Sequence, residues 1–151
     1  MNPESRKTIR LLASVYVALM LYLLFIRRNL FSPAPLLHPD VNLIPLRTIK
    51  RYLFCFTPPL NSRNLRWAVI NFFGNVIMFL PLGFLPPLLW SWARKLSRTL
   101  LFSIGVMTVV EALQMLLRVG VCDVDDLILN TLGAAIGYGC YAIYRHKNGH
   151  P

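Results

Sequence analysis

Four apolar runs divide the chain. Residues 9–26, 67–92, 99–117 and 127–144 each carry at most one charged side chain, and each approaches the roughly 20 apolar residues that a helix needs to cross the hydrocarbon core of a bilayer. Basic or aromatic residues stand at their ends: Arg10 and the pair Arg27-Arg28 bracket the first, and Trp67, Trp90 and Trp92 flank the second, as interfacial anchors do. The second run contains Pro81, Gly83, Pro86 and Pro87, which predicts a kink or an early end near "PLGFLPP". The pattern is that of an all-α integral membrane protein with about four transmembrane helices.

The segment between the first two runs, residues 29–66, is too long for a simple connector. Within it "LIPLRTIKRYLFCF" sets Leu46, Ile49, Leu53 and Phe56 on one helical stripe and Arg47, Lys50 and Arg51 on another. That pattern predicts a short interfacial or re-entrant helix, its basic residues touching lipid headgroups. A loop helix packed on the bundle is the alternative.

Composition agrees with the pattern. The hydrophobic share is 56% of 151 residues, above the usual share for a soluble domain, and the length suits one domain, residues 1–151. The net charge of +10 would suggest nucleic acid in a soluble protein. Here the basic residues cluster at the ends of apolar runs, where they serve lipid contact and topology, so no nucleic-acid partner is expected. Cys55, Cys122 and Cys140 show no metal-binding spacing. "LLFIRRNLF" is followed by no small-residue cleavage site, so the first run reads as a retained anchor.

Four crossings put both termini on one side. Eight basic residues then fall on that side (Arg6, Lys7, Arg10, Arg94, Lys95, Arg98, Arg145, Lys147) and eight on the other (Arg27, Arg28, Arg47, Lys50, Arg51, Arg63, Arg66, Arg118). The first set lies wholly in short segments beside helix ends, where the positive-inside bias acts most strongly, which predicts that both termini are cytoplasmic.

The same topology gathers polar residues at one leaflet. The second helix starts where the third ends and the fourth begins, so Asn71 and Asn75, then Glu111, Gln114 and Arg118, then Asp126 and Asn130 come to a similar depth. Each set keeps helical spacing and therefore a single face. A charge deep in a span costs roughly 2.5–3.5 kcal/mol, so Glu111 is expected to be paired, hydrated or protonated. Asp123 is a ligand candidate or an N-cap for the fourth helix. The asparagines are ligand candidates or interhelical glue. The small residues of "GAAIG" predict a packing face, with Gly133 and Gly137 as a contact between copies in a homo-oligomer.

Three blocks, "VNLIPLRTI" at 41–49, "NFFGNVIMFLPLGFLPP" at 71–87 and "EALQMLLRVGVCDVDDLILNTLGAAIGY" at 111–138, together resemble the VanZ-like family of bacterial membrane proteins, named for a factor associated with resistance to the glycopeptide teicoplanin. The likeness covers residues 40–140. An E-x-x-Q-x-x-x-R helix end followed closely by D-x-D-D and N-T-x-G is an unusual combination. The resemblance implies a small multi-helix envelope protein whose patterned positions include Asn75, Pro81, Gly83, Glu111, Gln114, Arg118, Asp123, Asp125, Asp126, Asn130 and Gly133. It does not supply a reaction.

The expected function is a leaflet-level polar pocket that binds or modulates an amphiphile: a glycopeptide, a lipid-linked wall precursor or a phospholipid. Its residues would be Asn71, Asn75, Glu111, Gln114, Arg118, Asp123, Asp126 and Asn130, with Arg47, Lys50 and Arg51 meeting headgroups. One alternative is a membrane enzyme acting on a lipid phosphate through Glu111, Asp125 and Asp126, or through a cation held by Asp123, Asp125 and Asp126. No nucleophile–base pair is evident, and neither a cofactor nor a resident metal is expected. A lipid flippase is the further alternative; it would require a dimer, since four helices are few for alternating access.

Overall fold

The computed structural model describes residues 3–27, 41–117 and 122–148. Arg118 and Arg28, singled out in the sequence, lie outside them. Among the described residues five α-helices make up most of the fold: α1 (Pro3–Leu21), continued by a wider π-type segment over Tyr22–Arg27, α2 (Arg47–Phe54), α3 (Ser62–Leu89), α4 (Leu96–Leu116) and α5 (Val124–Lys147). Two two-residue strands, β1 (Val41–Asn42) and β2 (Cys122–Asp123), pair in parallel, with Val41 opposite Cys122 and Asn42 opposite Asp123.

Four of the helices are long and apolar enough to cross a membrane, and the chain is a multi-pass membrane protein. Large apolar side chains cover the outside of the bundle, among them Leu11, Ile77, Leu101 and Ile143, as a lipid-facing surface requires. Each spanning helix begins before the apolar run that predicts it, because a helix can continue into water on polar residues. Asn61 starts α3 by accepting from the Arg63 and Asn64 amides, and Asp123 starts α5 by accepting from the Asp125 amide at 2.9 Å. The last turn of α5 carries Arg145, His146 and Lys147, which complement the helix dipole.

The prolines do not end α3 early. The helix runs through Pro81, Pro86 and Pro87 and stops at Leu89, where the Trp90 amide bonds back to the Pro86 carbonyl at 2.8 Å. In an apolar environment, unwinding would strand more backbone groups than a proline removes, and neighbouring helices help satisfy what is left. The Tyr16 hydroxyl of α1 donates to the Met78 carbonyl at 3.0 Å, one turn before Pro81.

The central contact is α3 against α5, made by glycine. A Cβ at Gly83 would collide with the Ala134 carbonyl, one at Gly133 with the Val76 carbonyl, and one at Gly137 with the Leu80 carbonyl. The small-residue packing face read from "GAAIG" thus joins α5 to α3 within the chain, because glycine lets two backbones approach more closely than any side chain would allow. Above this seam Phe79, Leu82 and Ala134 pack with Met107 and Val110 of α4 and Met20 of α1.

Candidate functional site

Two polar layers lie at the end of the bundle where α1 and α4 finish and α3 and α5 begin. The outer layer is a clip. The Asp125 carboxylate, fully buried, accepts the backbone N–H of Leu46 at 2.5 Å through Oδ1 and those of Thr48 at 2.6 Å and Ile49 at 3.0 Å through Oδ2. Leu46 adopts a left-handed backbone with φ of 66°. Such a conformation costs a non-glycine residue roughly 1–2 kcal/mol, and the bond from its own amide to Asp125 helps hold it there. The carboxylate therefore sits at the N-terminus of α2, where backbone donors and the helix dipole both favour negative charge.

Asp123 completes the clip. Its Oδ1 accepts from Asn42 Nδ2 at 2.9 Å and its Oδ2 from Thr48 Oγ1 at 2.6 Å, while Asn42 Nδ2 also reaches Thr48 Oγ1 at 3.1 Å. These side chains, with the β1–β2 pair, fasten α2 onto α3 and α5. Tyr52 of α2 is buried against Trp67 and Phe72 of α3, its ring 5.0 Å and 6.4 Å from theirs. Burial raises the Tyr52 hydroxyl above its ordinary range; the Asp126, Asp123 and Asp125 carboxylates raise it further, and Arg51 opposes them. A group whose native pKa is raised contributes stability that is complete below the unfolded value, near 10, and is lost as pH rises. Docking of α2 is accordingly expected to weaken above about pH 10, and Tyr52→Phe to remove that part of the alkaline loss; tyrosine absorbance and Trp67 fluorescence recorded against pH check it.

The helix that results differs from the simple stripe read in the sequence. Its buried residues are Thr48 and Tyr52, whereas Leu46, Leu53 and Phe56 stay exposed together with Arg47, Lys50 and Arg51. The protein thus covers a face next to the apolar stripe and takes Ile49 of the stripe with it, packed against Tyr52, Ala68 and Leu129, while Leu46, Leu53 and Phe56 remain free to meet lipid.

The inner layer is a cavity of about 110 Å³ lined by Leu24, Asn71, Asn75, Met78, Phe79, Met107, Val110, Glu111, Gln114, Asp126 and Asn130. Six of the sequence-selected residues meet here: Asn71, Asn75, Glu111, Gln114, Asp126 and Asn130. Asn75 Nδ2 donates to Asp126 Oδ1 at 2.6 Å across the α3–α5 seam. Gln114 Nε2 donates to the Leu24 carbonyl at 3.1 Å, joining α4 to the end of α1. Asn71 Nδ2 turns back to the Trp67 carbonyl of its own helix at 2.7 Å. Asn130 is 5% exposed, and its Oδ1 has no hydrogen-bond partner among the described residues.

Two of the selected residues are elsewhere: Asp123 and Asp125 do not line the cavity but hold the clip. Arg118 lies outside the described residues. The three aspartates of "DVDD" divide between the layers, Asp123 and Asp125 both reaching Thr48 while Asp126 turns to Asn75, and among the described residues no group of three His, Cys, Asp or Glu is placed to hold a metal ion. The sequence reading missed Asn42, Thr48 and Tyr52 of the clip and Leu24 of the cavity. Asn42 and Thr48 stand in the "VNLIPLRTI" block, whose polar residues at that spacing were the available signal; Leu24 contributes only a backbone carbonyl, for which side-chain chemistry gives no clue.

The family model described as VanZ/LLP1 matches residues 13–145. No curated protein and no solved structure matches the chain.

Proposed function

The chain belongs to the VanZ/LLP1 family, and on that footing we propose that it binds or modulates an amphiphile of the bacterial envelope through its inner polar cavity. The observation that carries this reading is the meeting of amide and carboxylate side chains from three spanning helices around one recess. Polar groups held inside a membrane bundle are costly and are characteristically kept for pathways and ligands. With both termini in the cytoplasm the recess opens toward the outer leaflet, where glycopeptides and lipid-linked wall precursors are met.

The volume of about 110 Å³ admits a headgroup or one polar substituent; the remainder of the amphiphile would stay in the leaflet. Arg47, Lys50 and Arg51 on exposed α2 suit a phosphate or carboxylate beside the recess, and Leu53 and Phe54, 56% and 73% exposed, suit the acyl region beneath it.

Glu111→Gln keeps the shape of the site and replaces its carboxyl group by an amide. It is expected to weaken binding of a lipid-linked precursor or lipoglycopeptide about ten- to hundredfold, the equivalent of one charge-assisted hydrogen bond, and to abolish any change in teicoplanin susceptibility that the wild-type chain confers on a bacterial host. Titration of purified protein in nanodiscs and susceptibility testing at matched protein levels measure both. Unchanged binding and unchanged susceptibility would remove the support for this reading.

A further inference from the structure

The turn between α3 and α4 stands at the opposite end of the bundle from both polar layers. Three successive carbonyls of its short helical stretch, Ser91–Arg94, each accept a side-chain bond: that of Trp92 from Arg98 Nη1 at 3.4 Å, that of Ala93 from the Thr99 hydroxyl, and that of Arg94 from the Tyr138 hydroxyl at 2.7 Å. The turn is thereby tied to both α4 and α5. It presents an aromatic cluster, with Trp90 stacked on Trp92 at 6.2 Å between ring centroids and both set edge-on to Phe102 at 6.0 and 5.5 Å. Beside the cluster stand three exposed cations, Arg94, Lys95 and Arg98.

Trp90 and Phe102 also line a groove of about 100 Å³ between α1 and α3, together with Tyr16, Val17, Leu85 and Pro86. No charged side chain is among its lining residues, and the Tyr16 hydroxyl is already bonded to the Met78 carbonyl. Val17 and Trp90 are half exposed, so the groove opens on the lipid side. A further helix, about 10–12 Å across with its side chains, is too wide for such a space. A single hydrocarbon chain is not.

The charge beside the groove selects the headgroup. Glu4 is the only acidic residue before Asp40, and none follows between residues 41 and 110 or after 126. Glu4 itself is paired with Lys7 at 2.9 Å. The other helix ends that meet here therefore bring no acidic side chain to Arg94, Lys95 and Arg98, and Arg98 commits one N–H of the five on its guanidinium to the Trp92 carbonyl. Basic groups gathered beside spanning helices attract anionic headgroups, and phosphate oxygens accept charge-assisted bonds from them.

We propose that this groove and turn bind an anionic phospholipid of the leaflet on the side of the termini. One acyl chain lies in the groove against Trp90 and Phe102, and the phosphate rests on Arg94, Lys95 and Arg98. The site is separate from the polar cavity, and neither reading depends on the other. A topology signal requires only the three charges; it does not require an apolar groove ending at them or a turn fixed at three carbonyls.

Native mass spectrometry of delipidated full-length protein, offered phosphatidylglycerol and phosphatidylcholine of identical acyl chains, tests the inference. Phosphatidylglycerol is expected to be retained about tenfold over phosphatidylcholine. Arg94→Gln, Lys95→Gln and Arg98→Gln together are expected to bring the two lipids to parity, in a protein that still folds because all three side chains are exposed. Leu85→Trp, which fills the groove, is expected to lower retention of both lipids. Should it fail to fold, the wild-type ratio and the charge variant decide. Equal retention by the wild type, or a preference untouched by the charge variant, would overturn the inference; its loss on the same change at Arg47, Lys50 and Arg51 instead would move the anionic headgroup to α2. A native dimer in place of bound lipid, lost with Leu85→Trp, would assign the groove to a second copy and overturn it as well.

Discussion

Asp125→Ala is expected to release α2 from the bundle and to destabilise the protein by about 3–5 kcal/mol, the usual cost of removing one side of a buried charged hydrogen-bond network. The carboxylate accepts three backbone N–H groups at the start of α2 and holds Leu46 in its left-handed conformation. Without it these donors lose their partner where the dipole is most positive, and Tyr52 loses the anchor that keeps it against Trp67. Trypsin reports the effect directly, since Arg47, Lys50 and Arg51 lie on the clipped helix: cleavage there is expected to accelerate in the variant at temperatures where α3, α4 and α5 stay intact. Asp125→Asn, which keeps one acceptor oxygen but turns amide donors toward backbone donors, should fall between. An alanine variant as resistant to trypsin as the wild type would show that Asp123, Tyr52 and the β1–β2 pair hold α2 without Asp125.

Gly83→Ala is expected to be at least as damaging, although it adds a single methyl group. The new Cβ would overlap the Ala134 carbonyl, a backbone atom that no rotamer change can move. Overpacking against side chains costs roughly 1–3 kcal/mol; here α3 and α5 must separate along a seam that Gly133 and Gly137 also require. Separation would draw Asn75 away from Asp126, now 2.6 Å apart, so ligand binding should fall together with the thermal midpoint. Gly105→Ala serves as the control. Nothing lies within 4 Å of its Cβ position, and alanine there should stabilise α4 by about 0.5–1 kcal/mol through helix propensity alone. Equal midpoints for the two variants would show that the α3–α5 seam can open without cost.

The glycine seam and the aspartate clip mark where sequence reading succeeds and where it stops. Apolar length alone locates four spanning helices, because hydrocarbon thickness sets a minimum run that water-soluble folds rarely imitate. Alternation of the spans then brings Asn75, Glu111, Gln114, Asp126 and Asn130 to one end, and helical spacing puts each set on one face; these inferences need no knowledge of which helices touch. The extent of α3 was less legible. Proline carries a strong local signal, and only the packed, apolar surroundings reveal that the helix passes through three of them.

Partner choice required the tertiary structure. Asp123, Asp125 and Asp126 are close in sequence and identical or nearly so in chemistry, yet the turn from β2 into α5 aims the first two at Asn42, Thr48 and the start of α2 and the third at Asn75. Such directions depend on how a distant loop folds back, over separations of 51 to 81 residues, and no local pattern encodes them. Hydrophobic length and helical period determine which residues can share a depth and a face in this protein. Backbone approach at the glycines, and the seat of α2 on the Asp125 carboxylate, decide which of those residues form structure and which enclose a cavity.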